Sequence, residues 1–309
     1  MKKLFFLMCI VAGLFVACDS DDEERDAVVV NDDGTTSNGS SFFLIDDKNF
    51  YLDGVKYTVN FNMDLKVTGY DEERFTGIAN IAPRITFKGN TYDVSYIEFD
   101  AFKNCTRLTS VTIPSSIRHI GECAFQNCRG LTSLFIPKSV DKILEFAFAG
   151  CGGLKSITVD EGNPNYYSPN NCNAILLKKN NYLIQGCNNT VMPDNTFLIS
   201  SSAFQGCSNL TSITIPNTVT YIGQEAFEGC SGLTSITIPN SVEIIHLHAF
   251  SGCSGLNSVH CQIQNPKFSS FNFFDDKICS SATLYVPKGS LEAYKSTSPW
   301  NKFKNIVEE

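Results

Sequence analysis

The sequence predicts a β-rich solenoid: an elongated coil of about 23-residue repeats with short parallel strands, a β cap at its N-terminal end and a short helical cap at its C-terminal end. Three observations carry that expectation. The pair Ala-Phe recurs at 101, 124 and 147, and again at 203, 226 and 249, with a spacing of 23 residues inside each group. Each copy then places Cys three positions after the Phe, Leu three after the Cys, and Ser followed by an aliphatic residue. The composition is 43% hydrophobic and 18% charged, which supplies a core and excludes wholesale disorder.

Residues 1–17 read as an export signal. Lys2 and Lys3 form the positive start, and Leu4 to Val16 is an apolar run too short to span a bilayer. Phe15-Val16-Ala17-Cys18 resembles a bacterial lipobox, which implies that Cys18 is acylated and becomes the mature N-terminus; Phe15 stands where that pattern usually has Leu. A plain signal peptide cut at Ala17 is the alternative. Residues 18–41 read as an acidic flexible tether, opening with Asp19-Ser20-Asp21-Asp22-Glu23-Glu24. Such an acidic run looks like the export tag of surface lipoproteins in Gram-negative gut anaerobes, or serves as a solvated spacer. Residues 19–40 carry a net charge of −7, which leaves only −3 for residues 41–309. That near-neutral remainder lacks the basic footprint that phosphate backbones require, so nucleic acid is excluded as a partner.

Residues 42–100 read as the β cap, from alternating segments such as Tyr57, Val59 and Phe61, and reach the first repeat through Val94 and Ile97. Residues 101–282 form the solenoid. Its first copy reads Phe102, Cys105, Leu108, Ser110, Val111, Ile113, Pro114, Ile117 and Ile120; the fifth reads Phe227, Cys230, Leu233, Ser235, Ile236, Ile238, Pro239, Val242 and Ile245. One such turn cannot cover its own apolar face, and stacking lets neighbours cover it for each other. Leu108, Val111 and Ile113 suit a short strand, which the following Pro ends because it offers no donor. Between the third and fourth copies lie 56 residues instead of 23. This insertion near 160–200 hides another unit, since Met192-Pro193 precedes Ala203 as Pro114 precedes Ala124. Residues 283–309 supply the closing cap, with Leu291, Tyr294, Trp300, Phe303 and Ile306 suggesting a helix and an apolar plug.

These repeats resemble the leucine-rich repeats of the BspA-like family of bacterial surface proteins. The resemblance covers residues 42–309, including Asp160-Glu161-Gly162-Asn163-Pro164-Asn165-Tyr166 in the insertion and Leu284 to Tyr294 in the tail. It implies a leucine-rich-repeat solenoid and a role in adhesion to host proteins, matrix or other cells, without naming one shared target.

Thirteen cysteines in an exported chain suggest disulfides, yet Cys105, Cys128, Cys151, Cys207, Cys230 and Cys253 occupy one repeat position. They read as a column of small hydrophobes, and Cys261, standing where other copies have Ile, joins the core. Cys172 with Cys187 is the better disulfide candidate. No metal is expected, because the column has no C-x-x-C pair and His246-Leu247-His248 is the only close histidine pair. No cofactor motif, nucleophile elbow or metalloprotease signature occurs, and Ser139-Val140-Asp141-Lys142 is explained by the repeat register. An enzyme is therefore not expected.

Binding surface is sought among positions the repeat leaves free. Ser110, Ser133, Ser156, Ser212, Ser235 and Ser258 form one outward column; Thr112, Phe135, Thr158, Thr214, Thr237 and His260, continued by Tyr285, form a second. Such Ser and Thr ladders also stabilise a sheet by themselves. Phe135, His260 and Tyr285 interrupt the column with rings that binding surfaces favour. A second free set precedes each Ala-Phe, and Arg118, His119, Lys142 and Tyr221 are its contact candidates. The expected function is recognition of a host or cell-surface protein or glycan by an outer-membrane lipoprotein held through its lipid alone. The alternative is an accessory binding subunit of an outer-membrane uptake or assembly complex.

Overall fold

The computed structural model describes residues 27–31, 33–60, 64–267 and 269–309. The export signal, Cys18, the acidic run and Phe61 lie outside the described residues.

The N-terminal cap begins as an antiparallel run of Phe42–Leu44, Asn49–Leu52, Val55–Val59 and Leu65–Tyr70. Its inward residues Phe50, Tyr57, Leu65 and Val67 are fully buried, and Phe50 lies 4.7 Å from Phe87 and 5.7 Å from Tyr57 between ring centres. The Tyr57 hydroxyl is not left stranded there: it accepts a bond from the Ala82 N–H at 3.2 Å. The tether expected over 18–41 needs correction from residue 28 onward. Val28–Val29 pairs in parallel with Arg84–Phe87, and Val28 and Val30 are buried. A free tether would hold that aliphatic surface in water, so the chain docks as soon as it has apolar residues to cover.

Asn90–Ile97 joins the cap to the coil, parallel to Leu65–Tyr70 on one side and to His119–Ile120 on the other. From there each repeat contributes up to two strands. The first sheet is laid down in three separate hydrogen-bonded pieces, in which Ser110–Thr112 pairs with Ile78–Asn80, Ser133–Ile136 with Ser156–Val159, and Ser235–Ile238 with Ser258–Cys261. The fourth copy, around Ser212 and Thr214, forms no strand. The second sheet is in two pieces, one with His119–Ile120 beside Lys142–Ile143 and the other with Leu198–Ile199, Tyr221–Ile222 and Ile244–Ile245 in order. These strands have only two residues, too few for a period to show in the sequence, and each turns one isoleucine inward, buried at Ile120, Ile199, Ile222 and Ile245 and half-buried at Ile143. Between the sheets the Pro corner closes on itself, as in Val219 N–H to Pro216 O at 3.0 Å.

The Ala-Phe loop explains more of the repeat. Asn104, Asn127, Gly150, Gly206, Gly229 and Gly252 all have left-handed backbones, with φ from 61° to 75°, so the residue before each Cys is the pair of types that tolerates this. The phenylalanines stack in two columns. Phe102, Phe125 and Phe148 lie 5.2 and 5.3 Å apart, while Phe204, Phe227, Phe250 and Phe274 lie 4.9, 5.2 and 5.0 Å apart. The column cysteines are buried free thiols that donate to backbone carbonyls, Cys128 to Phe102 O at 3.1 Å and Cys230 to Phe204 O at 3.2 Å. The hydrogen-bonded neighbouring thiol, together with burial, pushes the Cys128 and Cys230 thiols well above the ordinary thiol range. Cys172 and Cys187 are also free, which corrects the disulfide expectation: Cys187 Sγ turns to Asn173 O at 3.4 Å and Cys172 Sγ to Ser168 Oγ at 3.5 Å.

The insertion is neither a protrusion nor a wide turn. Tyr166–Tyr167, Ile175–Leu177 and Tyr182–Gln185 form an antiparallel meander, whose last strand runs parallel to Leu198–Ile199 and so re-enters the second sheet. Buried Asn163 ties it to the third repeat. Its Nδ2 donates to Pro137 O and Val140 O at 2.9 and 3.1 Å, and its Oδ1 accepts from the N–H groups of Asn165 and Tyr166 at 2.9 and 2.8 Å.

At the far end Thr283–Val286 and Asn305–Glu308 continue the first sheet in parallel. Helix Asp276–Ser281, capped by the Asp275 side chain on the Ile278 N–H, and helix Leu291–Ser296 cover the last turn. Tyr294, Trp300, Phe273, Phe274 and Phe303 close the core there, with Trp300 4.9 Å from Phe273 and 5.4 Å from Tyr294.

Candidate ligand-binding faces and the cleft between the third and fourth repeats

The sheets set the contact candidates on two separate faces. On the first sheet the register aligns Phe135 with Thr158, and Thr237 with His260 and then Tyr285. His260 and Tyr285 stack at 4.6 Å and 7°, and His260 Nδ1 lies 2.9 Å from Glu309 Oε1. They form one ring platform, and Phe135 is far from it along the array. The hydroxyl ladder bonds partly to itself, with Ser258 Oγ donating to Ser235 Oγ at 2.9 Å and Thr112 Oγ1 to Asn80 Oδ1 at 3.1 Å. It serves the sheet at those rungs.

On the second sheet Tyr96, His119 and Lys142 form one outward row, with Tyr96 and His119 rings 5.4 Å apart and exposed Arg118 beside them. Tyr221 belongs to a different row beyond the insertion, where Tyr182, Leu198, Tyr221 and Ile244 are in register. This row is apolar. Phe197 and Ile244 are 46% and 48% exposed, Tyr182 and Phe197 stack at 6.2 Å, and His246 lies 4.2 Å from Phe271. A contiguous apolar stripe left in water on a folded chain marks a contact surface. Tyr182 and Phe271 had no place among the sequence candidates. The signal for Tyr182 was present in Tyr182-Leu183, which matches Leu198-Ile199 and Tyr221-Ile222 in type and register.

A cleft of about 320 Å³ opens beside this stripe, lined by Leu144, Glu145, Phe146, Ile184, Leu198 and Tyr221, with Ser200 and Ser201 on the far wall. It marks the place where the phenylalanine column stops at Phe148 and restarts at Phe204. The repeats still touch at their glycine corner, where a Cβ placed on Gly152 would fall 2.0 Å from Gly206 O. Asn188 bridges the same corner, donating to Gly152 O and Leu154 O at 2.9 Å each. The cleft is therefore a wedge, shut at one end.

No group of three metal-ligating side chains occurs among the described residues, and no described helix is long and apolar enough to cross a membrane. Ser139 Oγ has no hydrogen-bond partner, so Lys142 does not activate it.

The BspA-type leucine-rich repeat model matches residues 72–185 and 177–296 in six copies, and the chain belongs to this family. No curated protein matches the chain. Among solved structures it is similar to a leucine-rich repeat protein from Bacteroides ovatus, at 31% identity and TM-score 0.47, over 81% of this chain and 56% of that one. The chain thus spans little more than half the length of that relative. A leucine-rich repeat protein from Eubacterium ventriosum shares 16% identity at TM-score 0.50, over 87% and 84% of the two chains, a likeness of fold alone.

Proposed function

We propose that this protein is an exported binding protein without enzymatic activity, anchored by lipid at Cys18 and displayed on the outer membrane to recognise a host or cell-surface protein or glycan. The observation that carries the reading is the apolar row Tyr182, Leu198, Tyr221 and Ile244 with exposed Phe197 beside it, on a rigid sheet of a repeat family built for such contacts. Rings and aliphatic groups on a fixed scaffold give contact area at little entropic cost. The lipobox-like Phe15 to Cys18 and the acidic run after it support export and anchoring.

Protease treatment of intact cells, followed with antibody to this chain, tests the display. Loss of signal without lysis is expected; survival would place the protein inside the envelope and favour an accessory subunit of an uptake or assembly complex. With display established, Leu198→Ser combined with Tyr221→Ala is expected to lower ligand capture by the purified chain about tenfold or more. Undiminished capture would move the binding face elsewhere.

A further inference from the structure

We infer that the cleft between the third and fourth repeats binds an extended peptide segment of a partner protein, which takes the place of a missing repeat loop by backbone hydrogen bonding. The inference deepens the reading of this chain as a binding protein and rests on it.

Every other pair of adjacent Ala-Phe loops is joined by alternate N–H groups of one loop donating to carbonyls of the next. Between the first and second repeats these are Asp100 to Glu122, Phe102 to Ala124 and Asn104 to Gln126, at 3.1, 2.7 and 2.7 Å. Glu225 to Leu247, Phe227 to Ala249 and Gly229 to Ser251 repeat the pattern at 3.0, 2.7 and 2.8 Å between the fifth and sixth. The third loop breaks it. Among the described residues Phe146 and Phe148, which occupy the first two donor positions, give their N–H groups to no acceptor. Across the cleft the Ser201 carbonyl, the matching acceptor, receives no hydrogen bond among the described residues, and Ala203 O is taken by Gly186 N–H at 2.8 Å and Gln185 Nε2 at 3.0 Å.

One wall of the cleft thus offers donors, and the other an acceptor. A peptide unit presents its C=O to one neighbour and its N–H to the other, the polarity these walls require, and an extended chain repeats it at fixed spacing, whereas glycan hydroxyls turn to donate or accept either way. The volume is at the small end of ligand sites, suited to a short stretch of chain. Its floor of Leu144, Ile184, Leu198 and Tyr221 takes an apolar group, and an aromatic ring there would pack beside Phe148, which also lines the cleft. Glu145 is the charged residue of the lining, so a basic residue beside the ring is favoured.

The test uses the full chain and a fluorescein-labelled peptide copying residues 120–127 with Glu122→Lys and Cys123→Ser. Saturable binding in the micromolar range is expected, with hydrogen exchange at the Phe146 and Phe148 amides slowed about tenfold or more at saturation, and with binding weakened at least about tenfold when the peptide carries Phe125→Ala. Ser201→Trp in the protein, which fills the cleft, is expected to abolish binding; should that variant fail to fold, the amide readout on the unaltered chain decides. Absence of saturable binding up to about 1 mM, or unchanged exchange at both amides, overturns the inference. Peptide failure alongside ligand capture that still depends on Leu198 and Tyr221 removes the cleft alone. Failure of surface display removes the wider reading, whatever the peptide does.

Discussion

Deleting one ring from the phenylalanine column measures how far each repeat depends on both its neighbours. Phe227 is fully buried and stacked on Phe204 at 4.9 Å and Phe250 at 5.2 Å, nearly parallel to each. Phe→Ala in a core costs about 3–5 kcal/mol, with the upper end reached where the surroundings cannot collapse into the hole. Here both flanking rings are held by the loop ladder on either side, so Phe227→Ala is expected near 4–5 kcal/mol. Phe148 is equally buried but has one stacking partner, Phe125 at 5.3 Å, and borders the cleft on its other side. It loses one ring contact instead of two, each worth roughly 0.5–1.5 kcal/mol, and the hole opens into existing space. Phe148→Ala should therefore cost about 3 kcal/mol. Urea unfolding of both variants, with amide exchange read repeat by repeat because such arrays can open in parts, gives the comparison. An equal or larger loss for Phe148→Ala would refute the claim that the column is interrupted there.

Two further outcomes follow from buried polar groups. Asn163→Ala removes four hydrogen bonds, leaving the Val140 carbonyl and the N–H groups of Asn165 and Tyr166 without that partner while Pro137 O keeps the Val140 N–H, so a loss of about 2–4 kcal/mol is expected, with faster amide exchange concentrated in residues 160–185; uniform loosening of the whole chain would count against its role as a local tie. Burial pushes the Cys261 thiol up to about 11 from its ordinary value near 9, and buried Tyr294, which donates to Cys261 Sγ at 3.1 Å, moves in the same direction. Below pH 9 the thiol is protonated whether the chain is folded or not, and its contribution is fully present. As pH rises from 9 towards 11 the unfolded thiol ionises first, so stability falls, by roughly 2–3 kcal/mol for Cys261. Denaturant midpoints at pH 8 and pH 10.5 check this, and Cys261→Ala should flatten part of the slope; a slope unchanged in that variant would assign it to other groups.

Much of the architecture was legible because a repeat writes the same physical demand many times. Six copies of Ala-Phe, Cys and Leu expose a stacked interior, and the shared Cys position already argues for thiols over disulfides. Less visible was the second sheet: its strands have two residues, and a single inward isoleucine per turn leaves no alternation to read. The site residues fared according to their register. His260 and Tyr285 meet because their strands are adjacent in the ladder, whereas Tyr221 is parted from His119 and Lys142 by a meander that rejoins the sheet only through the pairing of Tyr182 with Leu198. Val28 and Val30 were hidden by their setting, a short run Ala27-Val28-Val29-Val30 inside a polar stretch whose docking surface, Arg84–Phe87, lies over fifty residues away.

By itself, then, the sequence determined the coil, its repeat length and its buried columns, since these follow from local spacing and from the need to cover apolar surface. Tertiary structure alone decided where the array is interrupted and what the interruption leaves open. Whether the N–H groups of Phe146 and Phe148 find acceptors depends on which backbone comes to rest opposite them, and an insertion that re-enters the second sheet two residues out of step with the loops withholds that backbone. Hydrogen-bond satisfaction between turns is a property of their relative placement, which no single repeat encodes.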